Sequence, residues 1–428
     1  MKQLDRTQAP EIHDAISFTY QLPPIQKHIC DNNIPIYWLD AGVQEVVEIN
    51  WVFPAGVWYE TKPMLSQAVA ALLKSGTIQH TANEINEALE FYGASLHVNP
   101  GNDFAVVSLY TLTKHLPVLL PTVYEVLAEA VFPQEELEIF QRNSIQKLSV
   151  NLRKCEFVAN QKFDALLFGE DHPYGRYTRK ESIEALTRED LQAFHKEYYH
   201  LGLVQIFMAG RLTQTDVNLV ASVFGKGHIV QKPLAQKISA SPPPSQQKLH
   251  INHDPNGVQG AIRIGRIFPN RVHPDYPGMV VLNTILGGYF GSRLMRNIRE
   301  EKGYTYGIYS MLSSWLHAGV FVIATETGRQ VTMNAVEEVY KEMDILCKEQ
   351  VSEEELLLVK NYLLGNLLGD LDGPFQILQR WRSLILYGLD ENYFYNSVEM
   401  YKTINSEKLL QLAHTYFKPE LLYEVVVI

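Results

Sequence analysis

The histidines are the first candidates for metal ligands or general bases, because two pairs of them lie close together in the sequence. His195 and His200 are five residues apart, which turns them to different faces of a helix. His250 and His253 are three residues apart in a segment with an extended pattern, where an odd spacing also separates the faces. Neither pair has the spacing of a metal site, so these histidines are interpreted as structural or solvated.

Motifs for nucleophilic catalysis and nucleotide binding are absent from the sequence. There is no G-x-S-x-G turn and no Walker loop, and the glycine run that begins at Gly287 matches neither phosphate-binding fingerprint. The three cysteines are far apart and odd in number, which predicts neither a disulfide framework nor a thiolate zinc site. This cysteine usage suits a reducing compartment.

An arginine and a tyrosine seven residues apart, Arg299 and Tyr306, have side chains that can stabilise negative charge. The helical segment before them has three apolar residues at helical spacing that would anchor it: Phe290, Leu294 and Ile298. The strand after it alternates, which places three side chains on one face: Tyr304, Tyr306 and Ile308. Taken alone, the pair is an ordinary helix-end cation and an ordinary sheet aromatic.

Length and charge limit the classes of function. A chain of 428 residues with 46% hydrophobic residues suits two lobes of about 200 residues each. The net charge of -11 is spread along the chain without a basic stripe, which argues against nucleic acid as a partner. The first residues lack the apolar core of a secretory signal, and no segment approaches 18 uninterrupted apolar residues. We expect a soluble, cytoplasmic protein that does not bind membranes.

The sequence contains an internal repeat, which predicts two homologous lobes. Three pairs share one offset of 218 residues: Leu191 and Leu409, Tyr198 and Tyr416, Leu203 and Leu421. Each half also has the same order of signals, with an apolar strand, a long helical stretch, more strand, further helices and a closing strand. This order favours an α+β fold in which each lobe is a mostly antiparallel sheet packed with helices.

Three consecutive prolines from Pro242 lie among serine and glutamine, where they can continue neither a helix nor an internal strand. We predict an N-terminal lobe over 1–224, a linker over 225–248 and a C-terminal lobe over 249–428. A buried helix is predicted from Met64 to Leu73, and helix starts are predicted at Thr187 and at Ser352.

The segment WVFPAGVWYETKPMLSQAVAALLKSGT resembles the first strand, loop and helix of the insulinase/pitrilysin family of zinc metallopeptidases. Catalytic members carry H-x-x-E-H on that helix, just before a Lys-Gly-Thr-like end. In this chain the five motif positions are Gln-Ala-Val-Ala-Ala, so Gln67, Ala70 and Ala71 stand where the family has its histidines and glutamate. The family's third ligand, a glutamate, aligns at about Lys147, whose ammonium would repel a cation. The resemblance therefore implies a degenerate zinc motif and no metal in this chain.

A second segment, LGGYFGSRLMRNIREEKGYTYGIYSMLSS, resembles the signature of the family's C-terminal lobe. The arginine and tyrosine of that signature are Arg299 and Tyr306 here. In catalytic members they face the zinc across a central chamber and bind the peptide carbonyl and the oxygen that becomes negative during attack. The resemblance implies that this chain lost one part of the site and kept the other.

The family includes two-chain enzymes in which a zinc-free protein supplies the arginine and tyrosine. This chain resembles that kind of subunit, as found in bacterial heterodimeric peptidases and in the alpha-type subunit of the mitochondrial processing peptidase. The resemblance implies a metallohydrolase-like fold of the LuxS/processing-peptidase type and a heterodimer with a homologous H-x-x-E-H subunit. The partner would hold the zinc, and the substrates would be peptides or small unfolded polypeptides.

Two alternatives stay open at the level of the sequence. The chain could be a structural subunit, like the family's members in respiratory complexes, in which Arg299 and Tyr306 serve only in packing. It could also be a homodimer that binds peptides without cleaving them.

We expect the purified protein to contain no stoichiometric zinc, because none of the four aligned positions offers a ligand of useful affinity. Elemental analysis after expression with added zinc measures this, and an H-x-x-E-H homologue from the same genome serves as the positive control. One zinc per chain, together with peptide cleavage by this chain alone, would overturn the expectation.

Overall fold

The computed structural model describes Thr7 and residues 14–200, 202–226 and 247–428. Nearly all of the predicted linker at 225–248, including its prolines, lies outside the described residues. In the part that is described, fourteen α-helices pack around two β-sheets. None of the described helices combines the length and the apolar character needed to cross a bilayer.

The first half of the chain contributes a six-stranded sheet. Its strands are β1 Gln26–Ile29, β2 Pro35–Asp40, β3 Val46–Phe53, β4 Ser95–Pro100, β5 Ala105–Leu112 and β6 Gln205–Gly210. Its helices are α1 Leu65–Leu72, α2 Ala82–Phe91, α3 Leu116–Ala128, α4 Gln134–Asn151, α5 Cys155–Phe168, α6 Lys180–Glu184, α7 Arg188–His195 and α8 Gln214–Phe224.

The second half contributes a five-stranded sheet. Its strands are β7 Lys248–Ile251, β8 Gln259–Phe268, β9 Thr305–Ser314, β10 Gly319–Gly328 and β11 Tyr423–Val427. Its helices are α9 Tyr276–Asn283, α10 Thr332–Lys348, α11 Glu353–Gly369, α12 Pro374–Leu386, α13 Glu391–Thr403 and α14 Ser406–Tyr416. Two wide helical turns of the π type, Thr284–Gly288 and Met295–Glu301, lie between α9 and β9.

The two sheets have the same topology. The strand order is β1-β2-β6-β3-β5-β4 in the first and β7-β11-β8-β10-β9 in the second, so the second repeats the first without its β1 edge. The corresponding pairs β2–β6 and β7–β11 are parallel, and every other pair is antiparallel. The α+β prediction is confirmed, and the repeated topology agrees with the offset between Leu191 on α7 and Leu409 on α14, both fully buried.

Local signals also placed helix ends correctly. Thr187 caps α7 in a reciprocal arrangement with Asp190, and the Ser352 side chain accepts a hydrogen bond from the backbone N–H of Glu355 at the start of α11. The helix predicted from Met64 to Leu73 is α1, and Met64 precedes it in the left-handed region at a φ of 73°.

Helix α5 belongs to the first half of the chain but packs on the sheet of the second half. It lies against β8 and β11. Its buried residues Val158, Ala159 and Phe163 share a core cluster with Ala261 and Val425 of those strands. One helix therefore joins the core of the first half to the second sheet.

The second half covers the first sheet in return. Leu378 of α12 is fully buried in a cluster that also contains Val52 and Phe207 of the first sheet. The indole N–H of Trp381 donates to the backbone carbonyl of Pro23 over 2.8 Å. Each sheet is thus covered partly by helices of the other half, so the two halves share their cores.

Replacing Leu378 by alanine is expected to lower the free energy of unfolding by about 2–5 kcal/mol, because the cavity it leaves lies in a shared core. Chemical denaturation followed by circular dichroism and tryptophan fluorescence should show one transition, shifted as a whole. Leu358→Ala on α11, where the leucine is exposed, is the matched control and should change stability by less than about 0.5 kcal/mol. Two transitions, with the first half unaffected, would contradict the shared core.

Candidate functional site

Helix α1 carries the positions aligned with the family's zinc motif. Its core-facing residues hold it against the first sheet, while Gln67 and Ala71 are exposed and Ala70 is buried. Gln67 and Lys147 line the same cavity, which has a volume of about 580 Å³ and lies between α1, α4, α5 and the segment 176–178. The structure therefore brings together the positions that the resemblance assigns to the first and third ligands. We call this space the motif cavity.

The lining of the motif cavity does not fit zinc. It offers the amide of Gln67, the cations of Lys147 and Arg176, and one carboxylate, Asp164. Within the described ranges, no group of three histidine, cysteine, aspartate or glutamate side chains could hold a metal ion. Zinc sites in proteins use three or four such ligands, and a nearby ammonium opposes the charge of the ion.

Two carboxyl groups with raised pKa values lie near Arg176: the half-buried Asp164 in the lining of the motif cavity and the buried Glu60 just before α1. Burial raises the pKa of Asp164 to about 7, and the charge of Arg263 only partly opposes this rise. Burial also raises the pKa of Glu60 to about 7, against the hydrogen bonds from Ser66 and the charge of Arg176. Glu60 Oε1 accepts from the Ser66 backbone N–H over 2.8 Å and from its hydroxyl over 2.5 Å, which fixes the first turn of α1.

Arg299 lies on the second wide turn and is held between two aromatic rings. Its guanidinium carbon is 4.5 Å from the centroid of the Phe290 ring and 5.7 Å from that of Tyr306. Leu294 and Ile298 are fully buried, as predicted, but Phe290 is 64% exposed. The prediction that Phe290 anchors the helix is wrong, because its ring covers Arg299 instead of entering the core.

Tyr306 projects from a β-bulge in the edge strand β9. The pairing with β10 shifts between Thr325 and Thr327, and β9 has one extra residue there. The Thr325 hydroxyl donates to the carbonyl of Gly307 over 2.9 Å, which fixes the bulge. Tyr306 is 94% exposed, whereas Ile308 is 2% exposed. The prediction that these two side chains share a face is wrong, because the extra residue turns Tyr306 outward.

A second cavity, of about 820 Å³, lies beside Tyr306, and we call it the bulge cavity. Its lining includes Glu156 of α5, Glu326 of β10 and the buried Arg263 of β8. Burial and the neighbouring Glu156 raise the pKa of Glu326, so the two carboxyl groups favour sharing a proton. Arg263 also donates to Asn160 of α5 over 2.7 Å, and Asn160 lines the motif cavity. Helix α5 thus contributes residues to both cavities.

The sequence interpretation did not find Asp164 and Arg176, or the carboxyl pair Glu156 and Glu326. No local motif marks these residues. Their positions depend on α5 lying between the two sheets, which no periodicity in the sequence indicates.

The histidines are structural, in agreement with the sequence interpretation. The ring of His195 contacts the carbonyl of Leu127 at 2.9 Å, and the ring of His200 contacts that of Ala128 at 3.0 Å. His250 contacts the buried Glu424 at 2.5 Å. Each of these three rings is held by a contact within the fold, and none of them lines either cavity.

Comparison with known proteins shows where this architecture recurs. Residues 185–363 match the family described as Peptidase M16 inactive domain. An uncharacterized zinc protease of Mycobacterium leprae is 26% identical over 80% of this chain and 78% of its own length. A crystal structure described as a peptidase M16 inactive domain from Pseudomonas fluorescens superposes with a TM-score of 0.85 at 22% identity, over 94% of this chain and 98% of that chain.

Over residues 185–363 the chain is similar to the M16 inactive domain. This confirms the resemblance to the insulinase-type family. Another relative, from Helicobacter pylori, is described as a non-peptidase homolog and is 24% identical over 78% of this chain and 77% of its own length.

The stability of the protein should fall as the pH rises from about 4.5 to about 7, because of the ionisation of Glu60. The folded state raises the pKa of this carboxyl from its ordinary value, so folding binds protons in that interval, and ionisation in the buried site is unfavourable above it. Glu60→Gln keeps the acceptor for Ser66 and should give a flatter dependence of the unfolding free energy on pH. Ionisation of Asp164, whose pKa is also raised, lowers stability over the same pH interval. Part of the pH dependence should therefore remain in Glu60→Gln.

Urea denaturation at several pH values measures this slope, and Glu90→Gln on the exposed face of α2 is the control. Equal slopes in the wild type and in Glu60→Gln would contradict the assignment of the buried ionisation to Glu60.

Proposed function

We propose that this chain is the zinc-free subunit of a two-subunit M16 metallopeptidase and supplies Arg299 and Tyr306 to the zinc site of a homologous partner. The observation that carries the proposal is the arrangement of this pair at the surface. Tyr306 is almost wholly exposed on a bulge, and Arg299 lies against its ring. A tyrosine that served only in packing would be expected on the core face, where Ile308 lies.

The environment of Arg299 supports a role outside this chain's own core. Among the residues with described positions, no carboxylate lies within ion-pair distance of its guanidinium, and its contacts are the rings of Phe290 and Tyr306. Aromatic faces orient a guanidinium without consuming its N–H donors. The donors are therefore available to a carbonyl or an oxyanion that arrives from outside.

The chemistry assigned to this chain is the binding of charge. The zinc ion and the general base would come from a partner with an intact H-x-x-E-H helix. Arg299 would donate hydrogen bonds to the carbonyl oxygen of the bound peptide, and the Tyr306 hydroxyl would donate to the same oxygen as it becomes negative. Fixed donors of this kind lower a barrier most when water is excluded, which the meeting of the two subunits would provide.

Peptides or unfolded polypeptides are the proposed substrates. Strand β9 is the edge of its sheet, and the bulge cavity beside its Tyr306 end offers room for the side chains of an extended chain. A cytoplasmic location is proposed as well, supported by Cys30, Cys155 and Cys347, which form no disulfide.

Hydrolysis of a quenched peptide tests the proposal. We expect activity only when this chain is mixed with the H-x-x-E-H homologue from the same genome. Arg299→Ala and Tyr306→Phe should each lower kcat about 100-fold or more in the mixture, because each removes a donor to the oxyanion. The variants should still bind the partner, as measured by size-exclusion chromatography.

Arg296→Ala and Tyr395→Phe are the matched controls, since both residues are exposed and lie outside the pair. Unchanged turnover in the Arg299 and Tyr306 variants would instead favour a structural subunit. Stable self-association and peptide binding with no response to the homologue would favour a homodimeric binding protein.

A further inference from the structure

The motif cavity contains a guanidinium that forms no hydrogen bond to a described residue, although its charge acts on the Glu60 carboxyl. Arg176 is half-buried and lines this cavity, and its Nε hydrogen is shielded from solvent. Across the described parts of the chain, nothing accepts a hydrogen bond from this side chain. Buried donors in native proteins are normally satisfied by protein, water or ligand atoms. A guanidinium with unused N–H donors at a cavity wall is suited to hold an anionic group.

A second cation lines the same cavity from α4. Lys147 is exposed, and no described carboxylate lies within ion-pair distance of its ammonium. Among the described residues, Asp164 is the only acid in the lining. Burial raises its pKa to about 7, so near neutral pH it is partly protonated and offsets the charge of the two cations only in part. The cavity that corresponds to a cation site in catalytic relatives therefore favours an anion in this chain.

The remaining lining suits a peptide better than a bare anion. Three amide side chains, Gln67, Asn151 and Gln161, face the cavity and form no hydrogen bond to any described residue. An amide group offers both a donor and acceptors, which match the alternating C=O and N–H groups of a peptide backbone. Apolar side chains complete the wall: Met64, Phe140, Leu148, Phe157 and Ile183. A volume of about 580 Å³ lies within the range of small-ligand sites.

We propose that the motif cavity is a binding site for the C-terminal carboxylate of a short peptide, with Arg176 and Lys147 as the groups that hold the carboxylate. The unpaired amides pair with the backbone of the last residues, and the apolar wall receives a side chain. The site involves neither Arg299 nor Tyr306, so it stands apart from the proposed catalytic role and exists in this chain without a partner subunit.

Isothermal titration of the full chain alone tests the site with a pool of N-acetylated apolar tripeptides. The same pool amidated at its C-terminus lacks the carboxylate, and inorganic phosphate provides an anion without a backbone. We expect the acid pool to bind at least about tenfold more tightly than the amide pool, as the loss of one charge-assisted hydrogen bond implies. Phosphate should bind more weakly than the acid pool.

Lys147→Gln should weaken binding of the acid pool by about tenfold and leave binding of the amide pool unchanged. Arg142→Gln, on the same helix and exposed but outside the lining, is the matched control. Arg176→Gln should act like Lys147→Gln, provided that its melting temperature matches the wild type. Because Lys147 is exposed, the first variant tests the site even where the second is destabilised.

Three outcomes would overturn the proposal. One is equal affinity for the acid and amide pools, and another is the absence of binding by either pool at about 1 mM. The third is phosphate that binds as tightly as the acid pool and displaces it, which would show a site for anions only. If the acid pool binds as expected but the mixture with the H-x-x-E-H homologue does not cleave peptide, the carboxylate site is supported and the proposed catalytic role is rejected.

Discussion

The packing of α5 between the two halves is the constraint on which the rest of the structure depends. Its apolar residues, among them Ala159 and Phe163, join the core of the first half to strands of the second sheet. Its polar residues then have fixed places, with Glu156 at the bulge cavity and Asp164 at the motif cavity. Because helices of the second half cover the first sheet in return, the halves cannot separate without exposing apolar surface, which is unfavourable.

Helix α1 keeps its place in the fold without an H-x-x-E-H pattern. Helix α1 is held by apolar contacts to the first sheet and by the Glu60 carboxyl at its first turn, and neither depends on a metal. The space in front of the helix is lined by two cations, Lys147 of α4 and Arg176 of the segment after α5. The position of α1 and the charge of this space therefore depend on different residues, as is common where one fold serves several functions.

The second half of the chain carries Arg299 and Tyr306 outside its core. Tyr306 is exposed, and the half-buried Arg299 lies against its ring. The bulge in β9 and the wide turn before it are irregular elements of the kind often found beside functional sites. Both irregularities act on the same pair of side chains, because one aims Tyr306 and the other positions Arg299 against its ring.

The sequence by itself determined the α+β fold, the repeated unit, the helix starts at Thr187 and Ser352, and the family, because these depend on local spacing and on motifs within single elements. Tertiary structure alone decided the exposure of Phe290, the outward turn of Tyr306 and the presence of Arg176 in the cavity that Gln67 and Lys147 line. Phe290 has helical spacing like Leu294, and only the position of Arg299 shows that its ring stays outside the core. A bulge is defined by the register of a partner strand, and a cavity by helices distant in sequence, so neither leaves a periodic signal in the chain.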